Sequence, residues 1–271
     1  MTAQLRPPVD APARLRETVE VAAGFFLSRL EVPEAALEAH PGQFLQLQPR
    51  PAGPLSPYLR TPMSVAGVDA AEGTVDVLYD RVGPKTRVLS LVPEGEAIGC
   101  LGPLGNRFPL PEGGGTAVLV GGGIGLPPLL FLGRRLGAEG RQVLLLAGAR
   151  SADRHLPEEL FHPAAACFLR ATDDGSLGHP GRVTDLLVEA LAAPKPTVYT
   201  CGPHPMMASV ARICADHEVR CYASLEEYMA CGFGVCVGCV VGRAGIGLDP
   251  YHRYSRICVD GPVYDARTVE W

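Results

Sequence analysis

The sequence predicts a mixed β and α/β protein in three units: an antiparallel β-rich N-terminal part, a parallel doubly wound α/β domain and a small C-terminal unit bound together by cysteines. Three observations carry this reading. Between Glu17 and Leu110, short apolar or alternating runs are broken repeatedly by Gly and Pro. After Gly113-Gly114-Gly115 the rhythm changes to strands alternating with helices, the signature of a covered parallel sheet. Near the end Cys231, Cys236 and Cys239 crowd into nine residues, and Cys258 follows alone.

Residues 1–14 read as a flexible Pro-rich arm. In the β-rich part, Gly24–Leu30, Phe44–Gln48, Met63–Ala66 and Thr74–Tyr79 are strand candidates, and Pro41-Gly42 and Pro93-Glu94-Gly95 are turn signals. Many short strands at close spacing predict a sandwich or small barrel. Next, Ala117–Val120, Val143–Ala147, Cys167–Ala171, Thr197–Thr200 and Arg220–Ala223 read as strands. Pro128–Leu136, Val183–Leu191 and Pro205–His217 read as helices. The boundaries fall at 15–112, 113–222 and 223–271.

Composition narrows the function classes. A formal charge of −5 gives no reason to expect nucleic acid or an anionic membrane as partner. No apolar run approaches the ~20 residues of a membrane span, and residues 1–12 lack the apolar core of a signal peptide. Nine cysteines without an export signal point to a reducing compartment, with the cytoplasm as the expectation.

The cysteine segment is the most specific motif. Its Cys-x4-Cys-x2-Cys spacing with a distant fourth Cys matches the plant-type [2Fe–2S] pattern. Gly232, Gly234 and Gly238 interleave the ligands, and glycine permits the positive φ that aims backbone N–H groups at sulfur. Structural zinc is an alternative, although zinc modules usually pair their ligands in two short knuckles. A disulfide framework belongs to short secreted chains.

Val118-Leu119-Val120-Gly121-Gly122-Gly123-Ile124-Gly125-Leu126-Pro127-Pro128 is a strand, a Gly-rich turn and a helix start. Such a turn lets a pyrophosphate approach the positive end of a helix, although Leu126 stands where a G-x-G-x-x-G fingerprint ends and a plain tight turn is also possible. Thr200-Cys201-Gly202-Pro203-His204-Pro205 repeats the geometry. Cys201 there either faces a nicotinamide ring or packs in the core, and His204 reads as a loop residue. Arg60-Thr61-Pro62-Met63-Ser64 and Leu78-Tyr79-Asp80, with Lys85-Thr86, combine charge and hydroxyls suited to a phosphorylated cofactor or to an ordinary strand end.

Taken in order, R-x-P-x-S, G-G-G-I-G-x-P and C-G-P-x-P-M resemble the ferredoxin–NAD(P)H reductase superfamily. The tail from Leu225 to Val241, with Arg256-Ile257-Cys258-Val259-Asp260-Gly261-Pro262-Val263-Tyr264, is similar to electron transfer subunits of type B dihydroorotate dehydrogenases, as is Thr172-Asp173-Asp174-Gly175-Ser176-Leu177-Gly178. The resemblance implies a FAD-binding barrel, an NAD domain and a [2Fe–2S] domain beside a separate FMN-containing catalytic subunit, two of each. It implies Cys231, Cys236, Cys239 and Cys258 as cluster ligands. Arg60 to Ser64, Leu78 to Asp80, Lys85 and Thr86 then belong to FAD, and Gly121, Gly122, Gly123, Gly125, Cys201, Gly202 and Pro203 to NAD.

Two departures stand out. Thr61 precedes the Pro of the flavin motif where the family has Arg, with Arg60 one place earlier, and Lys85 replaces a glycine before Thr86. We expect Lys85, with Arg60, to supply the displaced positive charge. Arg150, Ser151 and Arg154 follow the second strand of the nucleotide domain and could receive a 2′-phosphate or form a solvated loop; the family points to NAD. The chemistry is coherent on its own, because a flavin joins two-electron nicotinamide chemistry to a one-electron cluster. Neither a base nor a nucleophile for a carbon acid is evident. Two other readings are open: a reductase subunit of a soluble hydrogenase or of a ferredoxin:NADP+ oxidoreductase, and a non-enzymatic zinc-stabilised interaction module.

Overall fold

The computed structural model describes residues 8–49, 59–110, 114–245 and 252–271. Six antiparallel strands close a barrel in the order β1-β2-β5-β4-β3-β6. They are β1 (Val9–Ala22), β2 (Phe25–Glu31), β3 (Phe44–Gln48), β4 (Thr61–Asp69), β5 (Thr74–Asp80) and β6 (Ala97–Leu104), with short helices α1 (Pro33–Glu38) and α2 (Pro84–Leu89) between them. Closure depends on the length of β1: Val9–Arg14 pairs with β6, and Arg14–Ala22 pairs with β2. This corrects the expected arm over 1–14. Residues 9–14 are strand, with Pro12 accommodated opposite Gly99, and residues 1–7 lie outside the described residues.

Alternation along each strand decides what reaches the flavin-type face. Leu45, Leu47, Met63, Val65, Val77 and Tyr79 fill the barrel core. Residues of opposite parity on β3 and β4, Gln46 and Pro62 among them, stand directly opposite each other on the outer face. Tyr79 is buried against Phe26 and Ser28, and desolvation pushes its phenol up to about 12.

The second part is a sheet flanked by helices. In chain order it comprises β7 (Ala117–Gly122), α3 (Leu126–Ala138), β8 (Val143–Ala149), α4 (Glu158–Phe161), β9 (Cys167–Thr172), β10 (His179–Pro180), α5 (Val183–Ala190), β11 (Thr197–Cys201), α6 (His204–Asp216) and β12 (Arg220–Ser224). These strands are parallel in the order β10-β9-β8-β7-β11-β12. The order reverses at β7, which lies between β8 and β11, and such a switch point is where open sheets bind ligands. The boundary expected at 112/113 falls on residues outside those described.

The C-terminal segment does not close on itself. It contains a hairpin of β13 (Val240–Gly242) and β14 (Tyr254–Arg256), then α7 (Ile257–Asp260) and β15 (Val263–Asp265). β15 returns to the large sheet and pairs antiparallel with β12. Asn106, just beyond β6, bonds to both the N–H (2.9 Å) and the C=O (2.8 Å) of Val263. Barrel and sheet also share one core, in which Phe25, Ala66 and Leu78 meet Leu129, Leu145 and Tyr199. No helix among the described residues is long and apolar enough to cross a membrane.

Candidate functional site

A cleft of about 690 Å³ opens at the carboxyl edge of the sheet. Its floor is made by the two Gly-containing loops, which interlock backbone to backbone. A Cβ on Gly125 would stand 2.3 Å from the Cys201 carbonyl, and one on Gly122 would stand 2.7 Å from Met206 Sδ. Gly123 holds φ +53° with open space beside it, so the turn presents bare backbone to the cleft. Gly121, inside the loop, packs against Leu126, and Pro203 precedes α6 on the cleft wall. His204 begins α6, its ring tilted against that of Trp271 with centroids 5.4 Å apart.

Across the cleft stand Phe25, Asp80 and Val82 of the barrel. Arg154 bridges the two sides. Its guanidinium pairs with Asp80, donates to the Ala23 carbonyl at 2.5 Å and lies 4.3 Å over the Phe25 ring. Ser151 donates to Asp153 at 2.6 Å. Of the three residues considered for a 2′-phosphate, Arg154 is therefore an interdomain strut and Ser151 a turn residue, while Arg150 lines the cleft.

Cys201 is fully buried, and its thiol donates to Glu226 Oε1 at 3.8 Å. Cys201 packs in the shared core, as one of its two readings had it, and is not among the residues that line the cleft. Glu226 is accessible through the cleft mouth, yet the surrounding walls desolvate it and raise its carboxyl to about 7, with the Cys201 bond pulling the other way.

The flavin-type residues divide by face. Thr61 and Met63 are buried, and Met63 and Tyr79 belong to the barrel core, so their side chains point away from any ligand on the outer surface. Pro62 and Ser64 share the opposite parity, and Leu78 packs in the interface between barrel and sheet. Arg60 Nη2 pairs with Asp10 at 2.8 Å, while Nη1 is buried with no partner. Lys85 donates to the Arg60 carbonyl at 2.9 Å, and partial burial lowers its pKa. Lys85 is thus held at the Arg60 backbone, and one guanidinium nitrogen of Arg60 is left buried and unpaired. That fits an anionic ligand. Thr86 is occupied as a cap, its Oγ1 accepting the Gly83 N–H at 3.2 Å.

The four cysteines come together as two pairs. The Cys231 sulfur accepts the Cys236 N–H at 3.5 Å, and Cys258 lies beside Cys239; all four thiols are free. Desolvation pushes the Cys231 thiol up, but N–H groups of Cys236, Phe233 and Val235 outweigh it and bring the thiol to about 6. Positive φ at Gly232 (79°), Gly234 (88°) and Val237 (55°) turns those N–H groups inward. Arg256 holds the Cys258 arm to the loop by donating to the Gly234 carbonyl at 3.2 Å and to Asp260. Among the described residues no three His, Cys, Asp or Glu side chains converge as one ion requires. Two thiol pairs fit a binuclear cluster, in which each of two irons takes two thiolates.

A family model described as the iron-sulfur cluster binding domain of dihydroorotate dehydrogenase B matches residues 226–270. Curated dihydroorotate dehydrogenase B (NAD(+)) electron transfer subunits are similar over most of the chain. That of Bacillus velezensis is 40% identical over 231 residues, 84% of this chain and 86% of the relative. That of Listeria monocytogenes is 38% identical over 241 residues, 87% and 89% of the two chains. The chain belongs to this family of electron transfer subunits. Among solved structures, an NADH-dependent reduced ferredoxin-NADP oxidoreductase has a TM-score of 0.84 at 29% identity, covering 96% of this chain and 90% of that one. A ferredoxin NADP+ reductase from Neisseria gonorrhoeae, 17% identical with a TM-score of 0.63, covers 76% and 91% and shares the fold.

Within this dihydroorotate dehydrogenase B family member, sequence reasoning passed over two residues that line the cleft, Phe25 and Glu226. Glu226 lies just beyond β12, at the same carboxyl edge as the two Gly loops, and that position was the available signal. Phe25 left no local trace, and neither did the pairing of Arg154 with Asp80, because each depends on barrel and sheet facing one another.

Proposed function

We propose that this chain carries electrons between an FMN-containing dihydroorotate dehydrogenase subunit and NAD+. The observation that carries the reading is the strand order of the barrel. β4, with the flavin motif, lies between β5, whose Asp80 lines the cleft, and β3, whose outer face meets the cysteine loop. The flavin face is thus flanked by a nicotinamide-type cleft and a cluster-type loop. Identity of 38–40% to the dihydroorotate dehydrogenase subunits, against 29% to the ferredoxin-NADP oxidoreductase, favours this partner over the alternatives.

In this reading Cys231, Cys236, Cys239 and Cys258 hold a [2Fe–2S] cluster. Arg60 and Lys85 hold the FAD phosphates, and Pro62 and Ser64 border the flavin. When bound, FAD exchanges hydride with nicotinamide and single electrons with the cluster. Gly122, Gly123, Gly202 and Pro203 supply a floor flat enough for the nicotinamide nucleotide to lie close. Phe25 and the Arg154–Asp80 bridge keep barrel and sheet at fixed separation, and Glu226 stands in the cleft as a carboxyl that changes protonation near neutrality.

Exposed Tyr228, Phe233, Val235, Val237 and Val259 surround the cysteine loop, an apolar rim suited to docking of the catalytic subunit. The assembly holds two subunits of each kind, in the cytoplasm. The test is co-purification with an FMN dihydroorotate dehydrogenase, followed by dihydroorotate-dependent NAD+ reduction and iron, sulfide and flavin analysis. Two irons and one FAD per chain with turnover is the expected result. Stoichiometric zinc, or turnover only with a hydrogenase or ferredoxin partner, would overturn the assignment.

A further inference from the structure

Two glutamines three residues apart at the start of β3 behave in opposite ways. Gln43 is buried and fully bonded: its Oε1 accepts the His40 N–H at 2.9 Å, and its Nε2 donates to the Gly105 carbonyl at 2.9 Å. Gln46 is 0% exposed, yet neither its Nε2 nor its Oε1 has a partner in the protein. A buried carboxamide left unpaired is costly, and a leucine would fill the same space without that cost.

The surroundings of Gln46 show where its amide is aimed. On the barrel it stands opposite Pro62 of the flavin-type strand and opposite Leu101 of β6. Its amide end lies flat against Gly232, the residue after Cys231. A Cβ on Gly232 would be 2.2 Å from Nε2 and 2.7 Å from Cδ. Gly232 is therefore bare where the carboxamide passes, and the residue before it in the chain is Cys231. Cys231 already accepts N–H groups from its own loop, so a donor from the barrel adds to that set from a second direction.

We propose that the Gln46 carboxamide donates a hydrogen bond to a sulfur of the iron–sulfur cluster on the Cys231 side and thereby raises the cluster's reduction potential. The inference rests on the cluster assignment made above. A donor to cluster sulfur stabilises the more negative, reduced state, and such bonds are among the determinants of cluster potential. Gln46 acts here as a positioning and tuning residue on the flavin side of the cluster.

The experiment is an EPR-monitored redox titration of the full chain in its complex, comparing the parent with Gln46→Leu, Gln46→Glu and Gln46→His. At the parent's midpoint, Gln46→Leu is expected to lower the reduced-to-oxidised cluster ratio by up to about tenfold, ~59 mV for a one-electron couple. Gln46→Glu, which places an anion there, lowers it at least as far and gives the same readout should the leucine variant fail to fold. Gln46→His keeps a donor and restores most of the ratio, and the FAD midpoint stays where it was. An unchanged cluster potential and EPR signal in an iron-replete Gln46→Leu or Gln46→Glu chain overturns the proposal. So does a shift confined to FAD, which would assign the amide to the flavin. Absence of iron from the parent chain overturns the cluster assignment itself and is recognised before any variant is made.

Discussion

The cysteine loop and the cleft use the same materials, glycines and exposed backbone N–H groups, but assemble them over very different spans of chain. The loop is local. Residues 231–239 bend on three positive-φ positions, and their own N–H groups turn onto Cys231. The cleft takes its walls from β2, β5 and the ends of β7, β8 and β11, with Glu226 beyond β12. A local device is set by short-range backbone geometry; a distributed one exists only when barrel and sheet are docked. Damage to either should therefore leave the other intact.

Gly125→Ala should give the largest effect. Its Cβ would stand 2.3 Å from the Cys201 carbonyl, with backbone and no flexible side chain in the way, so the two loops must separate. We expect a loss of roughly 1–3 kcal/mol of stability and weakened NADH binding, read by thermal unfolding and a binding isotherm. Iron content should not change. Gly234→Ala is the converse test. At φ +88° an alanine costs roughly 1–2 kcal/mol, and its Cβ would meet Val259 at 2.5 Å. Iron occupancy and cluster lifetime should fall while NADH binding holds. If both variants lose both functions, the sites are one cooperative unit and the comparison fails.

Lys85→Ala addresses the barrel face between them. Loss of one partly buried charge-assisted donor should weaken FAD by roughly tenfold, about 1.4 kcal/mol, measured by flavin dissociation. Unchanged affinity would dismiss Lys85 as the compensating cation. Glu226→Gln should give the smallest effect, visible in its pH dependence. The folded carboxyl titrates at about 7 and the unfolded one near 4.5, so between these values the folded state holds the extra proton. Stability therefore falls as pH rises from about 4.5 to 7 and levels off above. Gln should flatten that slope in melting temperatures taken across the same window.

This contrast also accounts for what the chain disclosed before folding. The strands and helices of the sheet were legible because apolar runs of the right period mark them, and Cys-x4-Cys-x2-Cys declares its chemistry by spacing. The outer face of β4 was only half legible. Thr61 and Met63 looked like ligand residues beside Pro62 and Ser64, and only the barrel's parity turns them inward. Pro12 argued for an arm, although pairing opposite Gly99 makes it strand. Arg154 read equally as a 2′-phosphate contact or a solvated loop residue, and neither reading could see its pairing with Asp80, 74 residues away. Gln46 carried no signal at all, since a glutamine on a strand becomes meaningful only when nothing in the fold bonds it.

The return of β15 to β12 changes what the cluster segment is. The two strands are neighbours in one sheet, so residues 225–262 form the connection of an antiparallel pair, and the cluster is an insertion in a hairpin with both ends anchored about 4.8 Å apart. A carrier tethered at one end can swing between donor and acceptor; an insertion pinned at both ends cannot. If the partner docks on the apolar rim as proposed, electrons enter through a segment whose two ends are held in the same sheet as the cleft. In that picture the subunit is a fixed relay, with its entry and exit points set by one sheet.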